Sequence, residues 1–102
     1  MRVEFKSAIM DAIQFNNNYE EVIEWVEEHY GDGFTLEFNW HEKISEHPYI
    51  EIILCPNFIE DIGSTFAETH IVDLYDYLVI LPTGELSLYD ELTFNEMFNE
   101  VS

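Results

Sequence analysis

Five glutamates between positions 20 and 28 are spaced as one face of a helix: Glu20, Glu21, Glu24, Glu27 and Glu28. At about 100° per residue they fall within an arc of roughly 120°, opposite Val22, Trp25, Val26, His29 and Tyr30. The stripe is about 12 Å long and contains no Lys or Arg. Glutamates at i and i+4, as in the pairs Glu20/Glu24 and Glu24/Glu28, repel by a few tenths of a kcal/mol each. A helix shaped only for stability would alternate them with lysines. Keeping the repulsion points to a surface that faces something basic.

The other residues able to do chemistry form no such set. His29, His41, His47 and His70 could ligate a metal, but His41 and His47 are six apart and not in HExxH spacing. Cys55 is the only cysteine, so it pairs with nothing within the chain and is expected as a buried thiol at the end of an apolar run. No calcium loop of DxDxDG type occurs. Asp73 and Asp76 interrupt the most apolar segment and are the candidates for a carboxylate pair, with a solvated bulge as the alternative. There is no GxSxG, P-loop or GxGxxG motif, and only Arg2, Lys6 and Lys43 could neutralise an oxyanion. The pattern predicts a protein with no catalytic residues, no metal and no cofactor.

Composition sharpens this. The 102 residues hold 22 acids and 3 Lys or Arg, a formal charge of −19, while 47% of the chain is hydrophobic and 16% aromatic. That apolar content can build a core, so disorder is not expected despite the charge. Solubility alone asks for a net charge of only about 8 in a small domain. The size predicts one domain spanning 1–102. No apolar run reaches 18 residues and no signal peptide opens the chain, so a soluble cytoplasmic protein is expected.

The elements that must carry the acids read as follows. Residues 3–15 have Phe5, Ala8, Ile9, Ala12 and Ile13 at helical spacing. Asn16 to Asn18 break the pattern, Asn18 is placed to cap the helix 20–30, and Gly31 to end it in a left-handed conformation. These two helices form a predicted N-terminal hairpin. From Phe34 to Trp40 the period becomes 2, giving a strand that pairs with a second at 49–54, opened by Pro48 and ended by Pro56. A single turn is predicted within 57–64, then a strand over 71–81 bent near Asp73 and Asp76. Pro82-Thr83-Gly84 turns into a strand over 85–89. Thr93 and Glu96 suggest a capping box opening a last short helix with Phe94, Met97, Phe98 and Val101 on one face. The predicted class is α+β: an N-terminal helical hairpin, a mainly antiparallel sheet of four or five strands, and a short C-terminal helix. Trp25, Phe38, Trp40, Leu78, Ile80 and Phe98 are the expected core.

Carboxylates at i and i+4 stand about 6 Å apart, comparable to the spacing of phosphates whose rise is about 3.4 Å per nucleotide along one DNA strand. A rigid row of acids can therefore occupy a groove made for a nucleic-acid backbone. Besides Glu20, Glu21, Glu24, Glu27 and Glu28, the candidate contact residues are Asp32 and the C-terminal acids Asp90, Glu91, Glu96 and Glu100, with Glu37, Glu42, Glu46, Glu51, Glu60 and Asp61 as further acids.

In small size, extreme acidity, scarcity of lysine and aromatic content, the chain resembles the phage-encoded DNA-mimic inhibitors of the anti-CRISPR and anti-restriction type. The resemblance implies a non-enzymatic inhibitor that blocks a basic nucleic-acid-binding protein, a host defence nuclease above all, without itself binding nucleic acid or membrane, as a monomer or dimer in the host cytoplasm. An immunity protein for a nuclease toxin and a phage structural or assembly protein stand as the alternatives.

Overall fold

The computed structural model describes residues 1–41, 48–56 and 68–101. Strand β1 (Arg2–Phe5) turns back into β2 (Ala8–Gln14); helix α1 (Tyr19–Tyr30) follows, then β3 (Phe34–His41), β4 (Tyr49–Pro56), β5 (Glu68–Asp73), β6 (Tyr77–Ile80), β7 (Leu86–Tyr89), α2 (Glu91–Met97) and β8 (Asn99–Val101). A five-stranded sheet runs β7-β6-β2-β1-β8 and a three-stranded sheet runs β3-β4-β5. Every pairing in both sheets is antiparallel.

This overturns the predicted class. The chain is mostly β, its first helix lies mid-chain rather than in an N-terminal hairpin, and two sheets replace one. The C-terminal helix is also not the end of the fold, because β8 follows it and closes the sheet edge beside β1. Residues 3–15, predicted helical, are a β-hairpin in the register Val3↔Met10 and Phe5↔Ala8.

Burial explains the helical look of this hairpin. Val3, Met10 and Ala12 face one cluster with Val79, Phe94 and Phe98, whereas Ile13 and Phe15 face another with Leu78, Val22, Val26 and Ile52. Adjacent residues on a strand point to opposite faces, so a strand covered on both sides has no period of 2. Its apolar positions then fall at 3 and 4 by accident. The turn hides itself as well. Lys6 and Ser7 have φ of 51° and 69°, the pair of positive angles a two-residue I′ turn needs, without the usual Asn or Gly.

Helix α1 lies against the apolar faces of both sheets. Val22, Val26 and Tyr30 join Ile13, Phe15 and Leu78 from the larger sheet and Ile50, Ile52, Leu54 and Val72 from the smaller. Asn18 does not cap α1 through its side chain. Its Oδ1 accepts from the Asn16 N–H at 2.7 Å and its Nδ2 donates to the Gln14 carbonyl at 3.2 Å, which shapes the turn from β2 instead. Gly31 is right-handed, with φ −59°. Glycine is needed there for space: a Cβ would stand 2.6 Å from the Glu27 carbonyl oxygen. Helix α2 begins before Thr93, capped by Asp90, whose Oδ1 accepts from the Thr93 N–H at 2.7 Å.

The expected core is partly displaced. Leu78 and Phe98 are buried, and Trp25, Phe38 and Ile80 are half-buried against the larger cluster. Trp40 is 46% exposed, and Cys55 is half-buried rather than enclosed. The turn expected within 57–64 and the acids Glu42, Glu46, Glu60 and Asp61 lie outside the described residues.

Asp73 and Asp76 sit at a turn between β5 and β6. The Asp73 N–H donates to Asp76 Oδ2 and the Asp76 N–H to the Asp73 carbonyl, both at 3.0 Å, while Phe15 and Tyr75 tie this turn to the end of β2. Burial raises the Asp76 carboxyl above its ordinary value, opposed by its hydrogen bond from the Asp73 backbone and assisted by the charges of Asp73 and Asp90. A carboxyl raised in the folded state binds its proton more tightly folded than unfolded. Its contribution to stability is fully present below the unfolded pKa and is lost as pH rises through the folded value. Asp76→Asn keeps an acceptor for the Asp73 N–H and removes the half-buried charge. It should therefore leave stability at neutral pH unchanged or higher, and flatten part of the gain that wild type shows on acidification between about pH 7 and 4. Parallel urea titrations at several pH values would show this, and a steeper pH dependence in the variant would contradict it.

Candidate functional site

The α1 face predicted from spacing is present. Glu20, Glu21, Glu24, Glu27 and Glu28 are all exposed, and Asp32 is exposed just past the helix end. The helix forms because its other face supplies Val22, Val26 and Tyr30 to the core. Glu20 and Glu21 in the first turn also sit favourably at the positive end of the helix dipole.

His29, read from sequence as part of the apolar side, extends this acidic surface to the larger sheet. Its Nε2 lies 3.2 Å from Asp11 Oδ2 and its Nδ1 2.8 Å from the Trp25 carbonyl oxygen. Asp11, on the strand face towards α1, was not legible as a neighbour because it is 18 positions away.

The C-terminal acids do not join this surface. Glu91 accepts from Gln14 Nε2 at 2.9 Å, and Gln14 alternates with Ala12 on the α2 side of β2. Phe94 and Phe98 hold α2 against that side, whereas α1 packs on the opposite one. Asp90, Glu91, Glu96 and Glu100 are exposed there, separated from the α1 stripe by the five-stranded sheet. Asp90 is committed to capping, and its hydrogen bonds with Thr93 hold its carboxyl below the ordinary value.

Two acids missed by sequence reasoning lie near the far end of α1. Burial pushes the Tyr30 phenol up to about 12, with the charges of Glu68 and Glu85 adding to the effect. The Tyr30 hydroxyl donates to the Gly84 carbonyl at 2.7 Å, in a cavity of about 340 Å³ that Glu68 and Glu85 line. Glu68 Oε2 also stands 3.5 Å from His70 Nε2. That buried nitrogen makes no hydrogen bond, so the contact is an ion-pair distance with poor alignment rather than a bond. Glu85 was read only as the start of the returning strand, and in the structure it lies between the turn at Gly84 and β7.

The other end of α1 borders a groove of about 790 Å³ lined by Asn17, Glu20, Glu21, Ile23, Glu24 and Trp40, among others. Among the described residues no group of three or more His, Cys, Asp or Glu is placed to hold a metal ion. Of Asp73 and Asp76, the carboxylate pair considered from sequence, the Asp76 carboxylate accepts from the Asp73 N–H within the turn. Among the described residues no helix is long and apolar enough to cross a membrane.

Of the three cationic side chains in the chain, Arg2 is on β1 and Lys6 in the β1–β2 turn, with the Lys6 ammonium 5.2 Å from the centre of the Phe5 ring. Helix α1 itself carries no Lys or Arg, so its glutamates at i and i+4 repel along the helix. Added salt should raise the melting temperature, since screening shortens to about 10 Å at 0.1 M and relieves repulsion between exposed carboxylates. Thermal scans from low to moderate sodium chloride would measure it; a flat or falling melting temperature would mean that the surface charge is internally compensated.

No family model, curated protein or solved structure matches this chain.

Proposed function

We propose that the protein is a non-enzymatic inhibitor whose acidic α1 face imitates a nucleic-acid backbone and occupies the nucleic-acid channel of a basic protein. The target class proposed is a host defence nuclease of the CRISPR or restriction type, met in the cytoplasm of a phage-infected bacterium. The observation that carries this is the exposed set Glu20, Glu21, Glu24, Glu27 and Glu28 on one rigid helix, anchored by Val22, Val26 and Tyr30. The charges are presented by a folded element, so the partner meets them without the cost of ordering a flexible tail. Lysines and arginines that hold phosphates would meet carboxylates at similar spacing and release the same counterions. The fold needs no catalytic group for this and no cofactor.

The test is displacement. A basic protein retained from a bacterial lysate on the immobilised chain is mixed with fluorescent double-stranded DNA, and the free inhibitor is then titrated in. Stoichiometric release of DNA is expected, weaker at higher salt. A ternary complex in which the partner holds DNA and this protein together would overturn mimicry.

A further inference from the structure

Beside the acidic stripe lies an indole that is left nearly half exposed. Trp40 is in register with Ile50 on β4, and Ile50 is fully buried. The strand therefore aims Trp40 at the same side as the core. It is nevertheless 46% exposed, forming a wall of the groove that Glu20, Glu24 and half-buried Ile23 share. The Tyr19 ring, 6.3 Å away and tilted by 40°, braces it from the first residue of α1. At about 790 Å³ the groove is within the range of about 300–1,000 Å³ that binding sites occupy.

We infer that this groove receives an arginine side chain of the partner, its guanidinium stacked on Trp40 and paired with Glu20 and Glu24. The inference rests on the proposed function and names the contact that would anchor it. Tryptophan is the strongest aromatic platform for a cation. A guanidinium also bonds carboxylates in a bidentate fork and sheds its water more readily than an ammonium, so this combination selects arginine over lysine. None of the described residues lining the groove is basic, and the chain carries a formal charge of −19, so a positively charged occupant is complementary to it. On a nucleic acid the same arginine would stack on an unpaired base while holding its phosphate. The groove offers an aromatic face and carboxylates in those two roles. Exposed tryptophans in such pockets are the usual anchors of an interface.

The experiment uses the full chain with Trp25→Phe, which leaves Trp40 as the only tryptophan reporter, and two peptides of equal length and charge, hexa-arginine and hexa-lysine. The arginine peptide should change Trp40 emission and bind about five-fold more tightly than the lysine peptide. Read by isothermal titration calorimetry, which needs no tryptophan, Trp40→Leu and Trp40→Ala, each checked for cooperative thermal unfolding, should bind the two peptides with equal affinity, while Trp40→Tyr keeps part of the preference. Equal affinities in the parent, or a folded Trp40→Leu that still prefers arginine, would overturn the inference.

Against the retained partner, Trp40→Leu should weaken DNA displacement about five-fold without changing its salt slope, because it removes no charge. Should reversal of the acids weaken displacement while Trp40→Leu leaves it intact, the arginine groove falls and mimicry stands. Should the arginine preference depend on Trp40 while the parent displaces no DNA, the groove stands and mimicry falls.

Discussion

Reversing Glu20, Glu24 and Glu27 to lysine should cost the protein its partner and leave its fold unchanged. All three side chains are exposed on α1, none belongs to the buried set Val22, Val26 and Tyr30, and lysine is as good a helix former as glutamate. Alternating lysines with the remaining Glu21 and Glu28 would even ease the repulsion along the helix. At the interface the sign inverts, and the three attractions to a basic channel become like-charge contacts that together cost several kcal/mol. The expected result is a loss of affinity on the order of 100-fold or more, about 3 kcal/mol, with a melting temperature no lower than wild type. Association should also lose its steep dependence on salt, since steering fields scale with the charge removed. DNA-displacement titrations beside thermal scans read both quantities. Displacement undiminished in the folded triple variant would remove α1 from the contact surface, and Asp90, Glu91, Glu96 and Glu100 on the opposite face of the larger sheet would be the next set to reverse.

Truncating Phe15 to alanine should nearly unfold the protein. Phe15 is fully buried, stacks edge-on against Tyr19 at 5.0 Å, and its backbone exchanges hydrogen bonds with Tyr75 and Asp76 at 2.7 and 2.9 Å. It therefore sits where β2, α1 and the β5–β6 turn meet. Removing a buried phenylalanine costs about 3–5 kcal/mol through lost transfer energy and the cavity left behind. That is a large share of the roughly 5–15 kcal/mol that holds a domain folded. A fall in melting temperature of about 15–30 °C is expected. Leu92→Ala is the control, because Leu92 is 73% exposed and such changes stay within about 0.5 kcal/mol. Chemical denaturation of the two variants decides the matter. A Phe15→Ala protein within about 1 kcal/mol of wild type would mean that the junction is not where the fold is held.

Where only one face of an element is buried, its residues announce it. The α1 stripe was legible because Glu20, Glu24 and Glu28 look outward while Val22 and Val26 look inward, and the amphipathic period follows from that contrast. Strand β4 shows the same alternation, with Ile50, Ile52 and Leu54 buried and their neighbours half-exposed. The charge of −19 and the absence of nucleophile or phosphate-binding motifs are equally properties of the chain alone. The hairpin β1–β2 was not legible. It is sandwiched between the cluster around Phe94 and the cluster around Phe15, so apolar residues on both faces erased the period of 2, and Lys6-Ser7 turns without a glycine to mark it.

What lies far apart in the chain was decided only by tertiary structure. The pairing Ala12↔Val79 joins residues 67 positions apart, and it places α1 and α2 on opposite faces of one sheet. Acids that look continuous in composition are thereby divided into two surfaces. Trp40 alternates in sequence like a core residue. Its exposure beside Glu20 and Glu24 depends on where α1 begins over the end of β3, a geometric fact that no local pattern of side chains encodes.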